Sequence, residues 1–391
     1  MPNYTYLIIG GGITADAAVA GIRAVDGNGS IGIISDEKDA PYNRPPLSKG
    51  LWKGKPLEKI YRQEAKKHAD LHLGKSAESI DPLNKLVVDN SGDKYSYDKL
   101  LLATGGSPRR LPFGGDEIIY FRTLDDFHKL HQLTREKSHF AVIGGGFIGS
   151  ELAAILAEQD QEVTMLFPEE GIGSLLFPAD MVSYLNEYYQ LKGVDVLAGE
   201  MVNGIEKTGS KFKITSRSGL EIIVDHIVAG IGIIPNTNLA QSAGIEIDNG
   251  ILVNEYLQTN FKDIYAAGDV ANIYNPYLGL RRRVEHEDNA LSSGSAAGMN
   301  MAGKNTPYEH MSTFYSDMFE LGYEAVGLLS PKLETYADWV EPYQKGVIYY
   351  LDRSELKGIL MWNVWDRVEA ARALIINSGP TTPEQLKGSI T

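Results

Sequence analysis

The chain has 391 residues, no cysteine and a formal net charge of −14. Without cysteine it has no redox-active dithiol, no sulfenate centre and no thiolate-held iron–sulfur cluster or zinc, so any electrons must travel through bound cofactors. The acidic balance argues against a nucleic-acid partner. With 43% hydrophobic and 23% charged residues, the composition is that of a globular protein of two or three domains, because single cores rarely grow beyond about 250–300 residues. No run approaches the roughly 20 apolar residues that span a bilayer. The first apolar strand begins so close to Met1 that no cleavable signal is expected, and the expected compartment is the cytoplasm.

The first element is YLIIGGGITADAAVAGI. Apolar Tyr6 to Ile9 predict a buried strand, and Gly10, Gly12 and Ala15 occupy the G-x-G-x-x-A positions of a strand-to-helix turn. Gly10 suits the tight turn, Gly12 admits a pyrophosphate close to the backbone, and Ala15 keeps helix and strand close. The helix start adds free N–H groups and the positive end of the helix dipole. SIGIISDE then predicts a second strand ending in Asp36 and Glu37, roughly twenty residues beyond Gly12, where an acid bonds a ribose. LVVDNSGDKYSYDKLLLATGG reads as strands around a turn that close on Lys99 to Ala103.

The grammar then repeats. FAVIGGGFIGSELAAIL carries Gly144, Gly146 and Gly149 as G-x-G-x-x-G, and EVTMLFPEE ends a strand in Glu169 and Glu170. An acid at that position repels a 2′-phosphate, so NADH is expected over NADPH at the second loop. EIIVDHIVAGIGIIPN closes this half through Gly230 and Gly232, and IYAAGDVAN is a further strand ending in an acid, Asp269, at the mouth of a helix-rich stretch. After Pro307, YEAVGLL, KGVIYYLD and LKGILMWNV read as antiparallel strands and DRVEAARALII as a helix. The expected architecture is α/β: two Rossmann-like dinucleotide-binding domains plus a C-terminal α+β domain. The expected boundaries are 1–110 with 237–305 for a discontinuous first dinucleotide-binding domain, 111–236 for a second, and 306–391 for the last. Two dinucleotide loops in one chain imply two cofactors that exchange electrons. The eight histidines show no metal-ligand spacing, so no metal is expected.

The paired loops, with ATGG at 103–106, GIGIIP at 230–235 and AAGD at 266–269, resemble the two-dinucleotide flavoprotein reductases of glutathione-reductase-like arrangement. PYNRPPLSK at 41–49 narrows the resemblance to oxygenase-coupled ferredoxin reductases and apoptosis-inducing factor. LFPEEG, RRRVEHEDNA, YSDM with GYEAVGLL, and KGVIYYL with LMWNV are similar to apoptosis-inducing factor over nearly the whole chain.

The resemblance implies that Gly10, Gly12, Thr14 and Ala15 hold the FAD pyrophosphate, Asp36 or Glu37 the ribose, and Arg44 a phosphate. It places Ala77 by the adenine, makes Arg122 a further FAD contact, puts Asp269 on the ribityl chain near a helix start, and brings His286 and Glu287 to the flavin edge. Lys49 would lie near the flavin N5, paired with Glu151. Gly146, Phe147, Ile148, Glu169 and Gly232 match NAD contacts, with Gly144 and Gly149 completing the loop. Phe147 is either a gate beside the nicotinamide or a core aromatic behind the loop. Glu285, Glu324 and Asn363 match NAD contacts too, and Trp362 and Trp365 would line a wall beside Asn363. Tyr315 stands where the mitochondrial animal members have a tryptophan. Their basic surface and long acidic insertion are missing from this sequence, so DNA binding and a cell-death role do not transfer.

The implied activity is hydride transfer from NADH to FAD, followed by electron transfer to an iron–sulfur protein, a quinone or oxygen. Docking of an acidic ferredoxin would need basic surface, for which Arg109, Arg110 and Arg281 to Arg283 are the candidates. The alternative is a redox sensor whose NADH-reduced form is long-lived and forms a homodimer.

Overall fold

A computed structural model describes residues 1–390, and these divide into two compact units. The first comprises Met1–Arg44, Pro56–Ser107 and Ile234–Phe314; the second comprises Pro45–Lys55, Pro108–Ile233 and the chain from Tyr315 onward. The C-terminal segment therefore groups with 108–233, and the chain around Lys49 belongs to the second unit although the sequence reading assigns it to the first.

In the first unit the strands Asp70–Leu73, Ile31–Ser35, Asn3–Ile9 and Lys94–Leu102 run parallel in that order, and Ile264–Ala266 adds to Lys94–Leu102 in the same sense. Leu86–Asp89 and Ala77–Asp81 extend the sheet antiparallel. The central strands are apolar on both faces, with Leu7, Ile8, Ile33, Leu100 and Leu101 fully buried, as a sheet covered on both sides requires. Register places Ile9 beside Ile34 and Leu102, and Leu102 beside Ala266. The loop from Gly10, the acids after Ser35 and the turn from Ala267 thus share one carboxyl edge. That edge is where ligands sit in open α/β sheets, at the strand whose two neighbours are reached in opposite directions.

Two helices of this unit pack closely on each other. Ile13–Arg23 and Glu287–Met301 cross backbone to backbone: a Cβ added at Gly298 would lie 2.1 Å from the Ala18 carbonyl oxygen, and one at Gly21 2.1 Å from that of Ser295. This explains the small-residue composition of the later helix, since any larger side chain there would force the pair apart. The helix-rich stretch begins later than the sequence suggests. AAGD runs into a single 3₁₀ turn, Gly268–Val270, then the hairpin strands Ala271–Asn275 and Leu280–Arg283, and only then the helix.

The second unit repeats the plan. Val194–Ala198, Glu162–Phe167, His139–Ile143, His226–Ala229 and Ile119–Tyr120 form a parallel sheet in that order. Ile143 lies beside Leu166 and Ala229, so the second glycine loop, Glu169 and Gly230–Gly232 share its carboxyl edge. Val202–Thr208, Lys211–Ser216 and Glu221–Val224 form a small antiparallel sheet. The C-terminal strands order as Thr313–Met318, Leu321–Gly327, Glu355–Trp362, Lys345–Asp352 and Glu334–Glu341, and the helix Val368–Asn377 follows. Pro45–Lys55 is tied into this unit by Trp52, whose ring meets Phe127 at 5.4 Å and His131 at 5.3 Å while its indole N–H donates to the Leu47 carbonyl at 2.7 Å.

Candidate functional site

Each glycine loop combines two kinds of constraint. Gly10 and Gly144 have φ of 111° and 117°, and an added Cβ would meet the Ala103 carbonyl oxygen at 2.1 Å and that of Gly230 at 2.5 Å. Only glycine fits there, for backbone and steric reasons at once. Gly12 and Gly146 are different. Their dihedrals, φ −89° with ψ −165° and φ −85° with ψ −166°, are extended and open to any residue, and a Cβ at either would meet nothing within 4 Å. Neither dihedrals nor crowding in the protein demand glycine at these two helix starts, whereas an anion approaching the free N–H groups does. The residues present therefore fit one dinucleotide pyrophosphate at each loop. At the third position a Cβ on Gly149 would strike the Gly144 carbonyl oxygen at 1.9 Å, while Ala15 is fully buried and accommodated.

Around the first loop, Thr14 is buried and packs on Gly268, whose φ is +74°. The two acids after Ser35 part company. Asp36 is exposed and accepts from the Glu37 N–H at 3.0 Å. Glu37 is half-buried, paired with Arg44, and accepts from the Tyr42 hydroxyl at 2.6 Å. Arg44 also donates to that hydroxyl at 3.1 Å. Burial opposes its charge, but Tyr42, Glu37 and Asp269 outweigh it and raise its pKa. The structure thus brings Glu37 and Arg44 onto each other. Ala77 is half-buried at the start of its strand, opposite Asp89. The Asp269 carbonyl accepts from Arg283 at 3.0 Å, and Arg283 pairs with Glu285 at 2.5 Å. His286 precedes the helix headed by Glu287 and stacks on Phe314, with ring centroids 4.4 Å apart at 14°. Burial first, and the Arg282 charge second, push its pKa down to about 3, so the ring is neutral at physiological pH.

In the second unit Lys49 pairs with Glu151, which is only 5% exposed in the helix Phe147–Glu158. Glu151 also accepts from the hydroxyls of Ser48 and Ser316, each at 2.6 Å. Asp317 lies 3.6 Å from the ammonium group, and the Tyr315 ring lies 5.2 Å from it. A buried carboxylate with three donors is satisfied as an anion. The resemblance pairs Lys49 with Glu151, and the fold adds Ser48, Ser316 and Asp317 to them. Ser48 sits inside PYNRPPLSK and the other two inside YSDM, so adjacency to quoted motifs was the available signal.

Phe147 is half-buried at the head of its helix, 6.5 Å from Tyr323, with Ile148 beside it. The carbonyl of half-buried Glu169 accepts from Gly199 at 2.8 Å, while Glu170 is exposed. Gly232 has φ +88°, and its carbonyl accepts from Arg109 at 2.9 Å. The Arg122 N–H donates to Asp126 at 3.1 Å, at the start of the helix Leu124–Leu133. Burial and the neighbouring Asp366 raise the Glu324 pKa, and the Asp366 N–H donates to it at 3.1 Å.

Other residues singled out in the sequence are held as follows. The Asn363 amide accepts from Gly322 at 2.9 Å and donates to Gln344 at 2.9 Å, holding a corner at φ +49°. Trp362 is no wall residue: it is fully buried, stacked on Tyr323 at 5.8 Å and bonded to the Tyr343 carbonyl. Much of the arginine run is structural, because Arg281 donates to the Val253 and Asn272 carbonyls at 2.8 and 2.6 Å and Arg283 is engaged as described. Arg110 pairs with Asp116 at 3.3 Å and covers Tyr120. Among the described residues no group of three or more His, Asp or Glu side chains is placed to hold a metal, and no helix is long and apolar enough to cross a membrane.

A parallel sheet with a glycine cradle and an acid at its carboxyl edge, present in each of two units, is the arrangement of an oxidoreductase that holds two dinucleotides. Residues 4–294 match the family described as pyridine nucleotide-disulphide oxidoreductase, and residues 297–342 and 337–377 match apoptosis-inducing factor, mitochondrion-associated, C-term. Apoptosis-inducing factor 1, mitochondrial, from Dictyostelium discoideum is 37% identical over 427 residues, covering 96% of this chain and 78% of its own length. Putidaredoxin reductase CamA from Pseudomonas putida is 31% identical over 340 residues, covering 83% of this chain and 81% of its own length. The crystal structure of the covalent putidaredoxin reductase–putidaredoxin complex contains a chain that matches with a TM-score of 0.92 at 28% identity, over 99% of this chain and 96% of that one. The chain belongs to the pyridine nucleotide-disulphide oxidoreductase family, in the branch of apoptosis-inducing factor and its ferredoxin-reductase relatives. It is a flavin oxidoreductase that uses FAD and NAD(H), and it carries no cysteine with which to reduce a disulphide.

Proposed function

We propose that the chain is an NADH-dependent reductase that passes electrons singly to an iron–sulfur protein of ferredoxin type. The observation that carries this is the pairing of two dinucleotide cradles with a chain free of cysteine, which removes the thiol route of the second half-reaction. The likeness to putidaredoxin reductase supports an iron–sulfur acceptor.

FAD, when bound, accepts a hydride from NADH and gives up its electrons one at a time. The chain's own residues bind and orient. The cradle at Gly12 takes the FAD pyrophosphate, with Glu37 on the ribose and Arg44 at a phosphate. The cradle at Gly146 takes NADH, with Glu169 on its ribose. In the second unit Lys49 is paired with Glu151, and in the first His286 is neutral and adds no positive charge. A ribose acid at Glu169 favours NADH over NADPH.

Anaerobic rapid mixing of the flavoprotein with NADH or NADPH, then with ferredoxin, a quinone or oxygen, tests this reading. Fast bleaching by NADH and fast reoxidation by ferredoxin support it. Equal reduction by NADPH overturns the coenzyme choice, and reoxidation by quinone or oxygen alone overturns the acceptor. The match of 297–377 to the apoptosis-inducing factor C-terminal family favours a second reading, a redox-sensing homodimer. A persistent long-wavelength band after NADH, unmoved by every acceptor and accompanied by doubling of mass, would select it.

A further inference from the structure

Asp16 stands in the first turn of the cradle helix and is 1% exposed. A carboxylate there suits the positive helix end but competes for it with a pyrophosphate. The surroundings resolve this. Oδ2 of Asp16 accepts from Arg62 Nε at 2.7 Å, and Oδ1 accepts from the Ala65 N–H at 2.8 Å. The charge is neutralised and its lone pairs are used.

Arg62 continues the connection. Its Nη1 donates to Asn43 Oδ1 at 2.8 Å, and its backbone N–H donates to the Pro41 carbonyl at 2.8 Å. The Asn43 N–H donates to the Ile60 carbonyl at 2.9 Å, and Tyr42 forms a lone antiparallel bridge with Tyr61. The segment laced in this way, 41–44, carries the two groups that hold Glu37: Arg44 and the Tyr42 hydroxyl. A continuous line of hydrogen bonds and short backbone therefore runs from the first turn of the cradle helix, through Arg62 and Asn43, to the acid that follows the second strand. Cradle and ribose acid are joined by groups that belong to neither.

We propose that Asp16, Arg62 and Asn43 are positioning residues for FAD: they fix the 41–44 segment so that Glu37 is presented at a set distance from the Gly12 cradle, and Arg62 cancels an acid that would otherwise repel the pyrophosphate. This rests on the assignment of FAD to the Gly12 cradle. The consequence is specific. Breaking the relay loosens FAD more than it loosens the fold, because Asn43 and Arg62 are only half-buried and lie outside the apolar core, while Glu37 depends on the 41–44 segment for orientation.

The test compares wild type with Asn43→Ala and Arg62→Gln by dilution of the holoprotein, reading released flavin by its fluorescence, with thermal unfolding of the apoproteins alongside. Asn43→Ala cuts the relay without changing charge and should raise the FAD Kd about threefold or more. Arg62→Gln also exposes the pyrophosphate to Asp16 and should raise it about tenfold or more, with part of the difference between the two variants varying with salt. An Asn43→Ala Kd less than about threefold above wild type, with or without a fall in apoprotein Tm, would reduce the relay to a structural staple and overturn the proposal. If Arg62→Gln does not fold, Asn43→Ala decides. Wild type that takes up no FAD would instead overturn the flavoprotein reading on which the proposal rests.

Discussion

Gly12→Ala separates what the cradle does for the fold from what it does for the ligand. In the protein itself the change is nearly silent: the dihedrals are extended, and the new methyl meets nothing within 4 Å. Restricting the unfolded chain stabilises by about 0.4–1 kcal/mol, and replacing glycine by alanine at a helix N-cap costs a similar amount. The apoprotein should stay within about 1 kcal/mol of wild type. For the ligand, the methyl occupies the space that a phosphate needs to reach the helix N–H groups. Each charge-assisted hydrogen bond is worth roughly 1.5–3 kcal/mol, so losing one or two costs about 2–4 kcal/mol, or roughly 30- to 1000-fold in the FAD Kd. Gly149→Ala is the contrast, because its methyl lands 1.9 Å from the Gly144 carbonyl oxygen and the apoprotein itself must shift. Urea unfolding of each apoprotein and flavin titration provide both axes. FAD affinity of Gly12→Ala within threefold of wild type, or an unfolded apoprotein, would refute the reasoning that the open space at Gly12 is a ligand's.

Three further outcomes are expected. Gly298→Val drives a side chain into the Ala18 carbonyl, where even a Cβ sits at 2.1 Å, and should cost about 3 kcal/mol in urea unfolding. Glu151→Ala leaves Lys49 and the hydroxyls of Ser48 and Ser316 without their buried acceptor, for a loss of about 3 kcal/mol, and Glu151→Gln should lose less; urea midpoints rank the two. Asp89 has its carboxylate pKa lowered to about 2: burial works against the charge, but Lys75, the Tyr95 hydroxyl and the N–H groups of Ser91 and Asp93 outweigh it. Because the folded value lies below the ordinary one, its contribution is complete above about pH 4 and drains away as the pH falls through about 2. Asp89→Asn should therefore be less stable than wild type at pH 6, with the gap narrowing towards pH 2.5, as paired urea titrations at the two pH values would show.

The two cradles were readable from the residues because the demand is local. A turn at positive φ, an open helix start and an acid at the next strand end are conditions on a few neighbouring backbone units, and glycine spacing records them directly. The alternation of apolar strands with helical segments recorded the parallel sheets in the same way. What the chain order cannot record is which distant groups meet. Asp36 and Glu37 are adjacent and chemically alike, yet only Glu37 turns in, because Tyr42 and Arg44 wait on that side of the strand end. The three arginines at 281–283 read either as a basic patch or as a solvated or internally paired cluster, and only the hairpin decides, aiming two of them at backbone carbonyls.

Lys49 was assigned with the residues around it in sequence, whereas Trp52 and Glu151 bind its segment into the second unit. Glu151 collects hydroxyls from Ser48 and Ser316, and Asp16 finds Arg62, across stretches of chain whose spacing carries no period. A buried carboxylate must be satisfied, but hydrogen-bond chemistry does not say by whom. The sequence by itself determined where the two glycine turns open onto helix starts, because backbone geometry is a property of neighbours. Only the tertiary structure decided which charges stand beside them, because the partners of a buried charge are fixed by packing among segments remote in the chain.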